Sequence, residues 1–172
     1  PSIYGALPYP TPNSEQSVFH FTSFNPTILN CQVLGPPSQL YYMISTDQTM
    51  PGYTVVKGAG GTRVALFEWK EHPLVEVRGT VTVPKQETRS WLRLSRDRKY
   101  RTMTIGETRY IWMPDQGHIN LHSSGPSPQL LGRISRRENT VIVEVANEAL
   151  DLGLLDPIVT AAFLLQCGHS ID

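Results

Sequence analysis

The sequence lacks an excess of either charge. Fifteen Lys and Arg balance fifteen Asp and Glu, so global charge points to no polyanionic partner. Cysteine is nearly missing. Cys31 and Cys167 lie far apart and match no metal or redox spacing. Two isolated thiols suggest a reducing compartment, or at most one bridge. The opening Pro1-Ser2-Ile3-Tyr4 has neither the basic region nor the apolar run of a secretory signal, and the expected location is cytoplasmic. No usable glycosylation sequon occurs, because Pro26 disqualifies Asn25-Pro26-Thr27. No Gly-X-Ser-X-Gly elbow is found, and helix signals are absent before residue 150.

What is present begins near the C-terminus, with Leu154-Leu155-Asp156-Pro157-Ile158-Val159-Thr160-Ala161-Ala162-Phe163-Leu164-Leu165-Gln166-Cys167-Gly168. Asp156 reads as an N-cap, Pro157 as the first helical residue and Gly168 as the stop. The body between them carries no charge and leaves no polar face on a helical wheel. Such a helix is buried on every side or lies in lipid. About eleven residues rise only about 16 Å, roughly half a bilayer's hydrocarbon thickness. A helix enclosed by the rest of the chain is the remaining option.

Residues 1–17 contain Pro8, Pro10 and Pro12 and read as a proline-rich arm. From Val18 short β-rich runs follow one another: Val18–Thr22, Leu29–Leu34, Leu40–Thr46, Tyr53–Lys57, Arg63–Trp69, Leu74–Arg78, Arg89–Leu94, Lys99–Ile105, Arg109–Met113, His118–Leu121, Leu130–Ile134 and Thr140–Val145. Val141, Val143 and Val145 share one face of the last run, Ile142 and Glu144 the other. Turn residues such as Gly58-Ala59-Gly60-Gly61 and Asp115-Gln116-Gly117 separate the runs. Strands without intervening helices favour antiparallel meanders. About a dozen of them could close into a barrel too wide for their own side chains to fill. The expected fold is therefore mainly β: one domain over residues 18–172, an antiparallel closed barrel of about twelve strands around a central helix at about 156–167.

Four stretches carry a family resemblance: Leu66-Phe67-Glu68-Trp69-Lys70, Ser95-Arg96-Asp97-Arg98-Lys99-Tyr100-Arg101, Gly106-Glu107-Thr108-Arg109-Tyr110-Ile111-Trp112 and Leu155-Asp156-Pro157-Ile158-Val159-Thr160-Ala161-Ala162-Phe163. In this order the chain resembles an uncharacterised fungal tubby-like domain found mainly in basidiomycetes. That domain belongs to the superfamily of tubby C-terminal domains, plant LURP-one proteins and phospholipid scramblases. The resemblance implies a twelve-stranded barrel around a hydrophobic C-terminal helix, and its distant relatives point to phosphoinositides or lipids by fold-level analogy. One departure is the ending Gly168-His169-Ser170-Ile171-Asp172, where the family often has a basic tail.

The main functional signal is a basic cluster. Arg89, Arg93, Arg96, Arg98, Lys99 and Arg101 fall within thirteen residues opposed only by Asp97, and Arg109 follows one strand later. Guanidinium forks suit phosphate oxygens. Arg93, Arg101 and Arg109 are expected to face outward on neighbouring strands, with Trp91 beside Arg93 at a lipid interface. The competing reading is a solvated exterior paired with Glu68, Glu71, Glu76, Glu87 and Glu107. A second knot, Arg133, Arg136 and Arg137, reads as a solvated hairpin turn. Lys57-Gly58-Ala59-Gly60-Gly61-Thr62 reads as a glycine hairpin, because a phosphate loop needs a Gly-Lys-Ser/Thr ending and a following helix. His118 and His122 lack a third ligand beyond Asp115, and both cysteines sit in apolar contexts. No metal site, cofactor or catalytic set is expected.

The reading that follows is a non-enzymatic binding module for phosphoinositide or other anionic ligands, peripheral to membranes. Nucleic acid is not the expected partner. The alternatives are a protein-interaction or structural module without lipid specificity, and a small-molecule carrier or hydrolase. The architecture is tested directly by Ala162→Asp or Phe163→Asp. An unpaired charge in a closed core costs several kcal/mol, so either variant is expected to yield no soluble folded protein. A soluble variant with a cooperative melt would sink the enclosed helix.

Overall fold

The structure, a computed structural model, describes residues 16–172. Residues 1–15, most of the expected arm, lie outside the described residues, while Gln16 and Ser17 already belong to the first strand. Thirteen strands follow one another with three helices: β1 Gln16–Thr22, β2 Cys31–Gly35, β3 Gln39–Ser45, β4 Tyr53–Gly58, β5 Arg63–Glu68, β6 Leu74–Arg78, β7 Thr82–Glu87, α1 Thr88–Trp91, β8 Leu92–Leu94, β9 Arg101–Ile105, β10 Thr108–Asp115, β11 His118–Ser123, β12 Leu130–Arg137, β13 Thr140–Ala146, α2 Asn147–Asp151 and α3 Leu155–Gln166.

All strands lie in one sheet, ordered β7-β6-β5-β4-β3-β2-β1-β13-β12-β11-β10-β9-β8. Neighbours are sequential except at β1 and β13, which pair from Gln16↔Ala146 to Phe21↔Val141. The two edge strands, β7 and β8, are joined by only the four residues of α1. Thirteen strands at about 4.8 Å would spread about 60 Å if flat, whereas four residues reach about 14 Å at most. The sheet is therefore curled until its edges approach.

No ladder joins those edges among the described residues, and strand count supplies the reason. Every pairing is antiparallel. With an odd number of strands, β7 and β8 run in the same direction. A parallel pair needs a crossover of about a dozen residues or more, far longer than α1. Where about twelve strands were expected, the structure has one antiparallel sheet of thirteen, and its unpaired edges form a seam. The additional strand, β7, went unread because Pro84, Lys85, Gln86 and Glu87 carry no apolar alternation, and only Val83 is buried. Proline is tolerated there because β7 is an edge, and Pro84 falls at a register shift against β6.

Inside the curl lies α3, twelve residues long, about 18 Å at 1.5 Å per residue. Residues from Pro157 to Leu164 are all buried, and α3 packs against β5, β6 and β13. Each of Ile158, Val159, Phe163 and Leu164 contributes about 1.5–3 kcal/mol of apolar burial. Phe163 meets Phe67 of β5 at a ring separation of 4.8 Å. The one polar member, Thr160, donates its hydroxyl to the Asp156 carbonyl at 2.7 Å, which satisfies it within the helix. Gly168 ends the element in the left-handed region at φ 80°, as its position predicts.

Asp156 does not cap the helix. The N-cap is Leu154, with no side-chain cap hydrogen bond. The Asp156 carboxylate instead accepts from Tyr42 Oη of β3 at 2.5 Å and from the Thr80 backbone N–H at 3.1 Å. Tertiary donors have won over the local ones, while the charge still sits in the first turn, where the helix dipole favours it.

The seam is filled by the segment after α3. The buried Thr88 hydroxyl donates to the Ile171 carbonyl at 2.6 Å, and Ile171 is itself buried. His169 stacks on Trp69 with ring centres 4.5 Å apart. Thr88→Val keeps the shape and leaves that carbonyl unpaired, a cost of about 1–3 kcal/mol. The expected result is a lower melting midpoint, with faster amide exchange in 88–94 and 169–172 than in β13. Uniform loss of protection, or none, would contradict the seam assignment.

Candidate functional site: a basic surface beside the sheet seam

The expected strand Arg89–Leu94 divides at Leu92. Its first half is α1, and this re-aims two of the predicted site residues. Trp91 is 1 % exposed, and its indole N–H donates to the Thr104 carbonyl at 3.2 Å. It is a core residue under the seam and cannot rest at a lipid interface. Arg89 is exposed and pairs with Glu87 at 2.6 Å.

Register decides the rest. Arg93 opposes Thr102, and Arg109 opposes Thr104. Both threonines lie on the face of β9 opposite buried Met103, so Arg93 on β8 and Arg109 on β10 face outward from the two strands flanking β9, and both are exposed. Arg101 does not join them. It has the parity of Met103 and Ile105, on the inner side at the sheet rim, and its side chain is 16 % exposed. There it donates to the Leu92 carbonyl at 2.9 Å and to both Asp172 carboxylate oxygens at 2.8 and 2.7 Å. Lys99 precedes β9 and lies in the β8–β9 loop.

That loop, residues 95–100, is tied down by its own polar groups. The Ser95 backbone N–H donates to the Tyr100 carbonyl at 2.9 Å, and the Lys99 N–H to Ser95 Oγ at 3.0 Å. The Ser95 hydroxyl donates to Asp97 at 2.6 Å, which, with the Lys99 N–H, holds that carboxyl below the usual aspartate range. Arg98 adopts φ 59°, a left-handed conformation uncommon for a residue with a Cβ. The loop thus presents Arg96, Arg98 and Lys99 to solvent, with Lys99 4.0 Å from Asp97.

Of the five glutamates that could neutralise the cluster, two are engaged outside it and one takes a single member, Arg89. Glu68 pairs with Lys70 at 3.9 Å and with Lys85, Glu76 with Arg78, and Glu87 with Arg89. Glu71 and Glu107 form no ion pair among the described residues. Arg93, Arg96, Arg98 and Arg109 are therefore exposed without an acidic partner among the described residues.

The other singled-out groups have ordinary roles. Gly58 and Gly61 close a hairpin through 2.9 Å backbone bonds. His118 Nδ1 meets Ser135 Oγ at 2.8 Å, and no group of three metal-binding side chains occurs among the described residues. Arg133 donates to Asn120 Oδ1 at 2.9 Å. Burial pushes the Cys31 thiol up to about 12 and raises that of Cys167, so neither is a ready thiolate. Sequence reading missed that Arg136 and Arg137 line a cleft of about 260 Å³ with Gln166, Cys167 and Gly168. The only sequence signal was their adjacency on a turn.

The fold and this surface define a β-sheet protein with a buried C-terminal helix and a local cluster of exposed arginines. By sequence the chain belongs to DUF6593, a family of unknown function, whose pattern matches residues 25–168. No curated protein matches it. An X-ray structure of a protein from Arabidopsis thaliana is similar over 85 % of this chain and 91 % of that one, at 11 % identity and a TM-score of 0.43, too remote to bear on function.

The Asp172 carboxyl is held below its ordinary range first by the hydrogen bonds from Arg101, then by the charges of Arg101, Arg98 and Arg89. A depressed carboxyl stabilises the docked segment above the unfolded value and loses that contribution as pH falls through the folded one. The Ile171 methyl resonances are therefore expected to stay in place from neutral pH to about pH 4 and to shift only in stronger acid. Asp172→Asn should remove that acid step; a step centred above the ordinary aspartate range would contradict the assignment.

Proposed function

We propose that this chain is a non-enzymatic, tubby-like binding module whose curled sheet serves as a barrel around α3. Its outer arginines on β8, the β8–β9 loop and β10 engage a polyanionic headgroup, with phosphoinositides as the expected class. The supporting observation is the set Arg93, Arg96, Arg98 and Arg109, exposed without an acidic partner among the described residues, while Glu68 and Glu76 pair with Lys70, Lys85 and Arg78. Guanidinium groups match phosphate oxygens bidentately, and a rigid loop loses little freedom on binding. This mode is peripheral. No helix among the described residues is long and apolar enough to cross a membrane.

The test is sedimentation with vesicles. Binding to phosphoinositide-containing vesicles should exceed binding to neutral ones and fall steeply with salt. Each arginine near an anionic surface contributes about 1 kcal/mol, so combining Arg93→Ala, Arg96→Ala and Arg109→Ala should weaken binding about a hundredfold. Equal retention by neutral and anionic vesicles would overturn the reading.

A further inference from the structure

A second feature lies on the opposite side of β8–β10 from Arg93 and Arg109. Between the β8–β9 loop, the end of β10, the start of β11 and the last turn of α3 is a cleft of about 170 Å³. Its apolar wall includes Leu94, Trp112, Ile119 and Leu165, and Arg98, Lys99 and Arg101 also line it. Greasy walls beside three cations fit neither a bare inorganic anion nor a neutral hydrocarbon. They fit one molecule carrying both characters. At about 30 Å³ per water-sized group the space holds roughly six such groups.

Asp172 supplies the second observation. Its side chain, 46 % exposed, takes both terminal nitrogens of Arg101, and Asp172 is not among the residues lining the cleft. The protein therefore already displays this guanidinium as a bidentate carboxylate receptor, and Arg101 also lines the cleft. The Asp172 end of the pair is open to water, so an incoming carboxylate that makes the same two hydrogen bonds and also buries an apolar body can replace it.

We propose that this cleft binds a small carboxylic acid with an apolar body of about six heavy atoms, its carboxylate displacing Asp172 from Arg101 and its body lying against Trp112 and Leu165. The site shares only Arg98 with the outer surface assigned to headgroups; Arg93, Arg96 and Arg109 do not line it. Occupancy would release the segment that fills the seam, because Asp172 adjoins Ile171.

The experiment is a titration of the ¹⁵N-labelled full chain, without vesicles, following the Trp112 indole N–H. Hexanoate is the probe, acetate the probe without a body and 1-hexanol the probe without a charge. Hexanoate should shift the resonance saturably, with acetate and hexanol at least about tenfold weaker. Asp172→Asn removes the competitor and should tighten hexanoate about threefold, the factor for a weak ion pair. Arg101→Gln should abolish binding. Because Arg101 also holds the Leu92 carbonyl, Ile119→Trp, which fills the cleft and keeps the cations, should abolish it too. The Arg93/Arg96/Arg109 triple alanine variant should bind hexanoate normally, which separates this site from the headgroup surface. Hexanol binding as tightly as hexanoate, no tightening in Asp172→Asn, or loss of hexanoate binding in the triple variant would overturn the proposal.

Discussion

The burial of an uncharged helix is the constraint on which the structure rests. From Pro157 to Leu164 α3 carries no charge, and its one hydroxyl, on Thr160, is bonded within the helix, so each side of it requires a wall. A flat sheet covers one side. A sheet curled round on itself covers all of them, and its inward side chains, Val33, Val56, Phe67, Val75, Val77, Val141 and Val143 among them, form one continuous core with the helix. Asp156 fixes the helix within that wall by accepting from Tyr42 and Thr80. The fit is close: a Cβ at Gly79 would overlap this carboxylate. Burial, the hydrogen bond and the Asp156 charge together push the Tyr42 phenol well above its usual range, so it remains a donor at any ordinary pH.

Wrapping by an odd number of strands has a consequence that no single strand reveals. The edges run the same way and have too short a connection to pair. The gap is closed by other means: a helical turn carrying the buried Trp91, and residues 169–172 bridging Thr88 and Arg101. The basic surface is built at this seam. Its cations comprise outward arginines on regular strands, a loop stiffened by Ser95 and Asp97, and Arg101 turned inward to hold the seam segment.

Much of the β structure was legible because a half-buried strand imposes a period of two. Leu74–Arg78 was read to the residue, and β13 alternates buried valines with less buried neighbours as its sequence suggests. Arg93 and Arg109 were placed outward for the same reason. The failures share a cause. In β7 the apolar period is absent, since an edge strand need bury little. In Arg89–Leu94 a period of two was assumed across a helical turn, which inverted Trp91. Arg101 was read on the wrong face because parity within β9 fixes a side only once its partners are known. Asp156 looked like a cap because local hydrogen-bond donors are all that a linear chain displays.

The sequence alone determined that the chain is a β protein organised around a greasy C-terminal helix, because patterning and the absence of charge are local properties. It also determined where the cations cluster. Only the tertiary structure decided which of them lack acidic partners, which one turns inward to a carboxylate more than seventy residues away, and that the sheet keeps a seam. Those outcomes depend on strand parity and on pairings between distant segments, and long-range neighbours are not encoded in any one stretch of the chain.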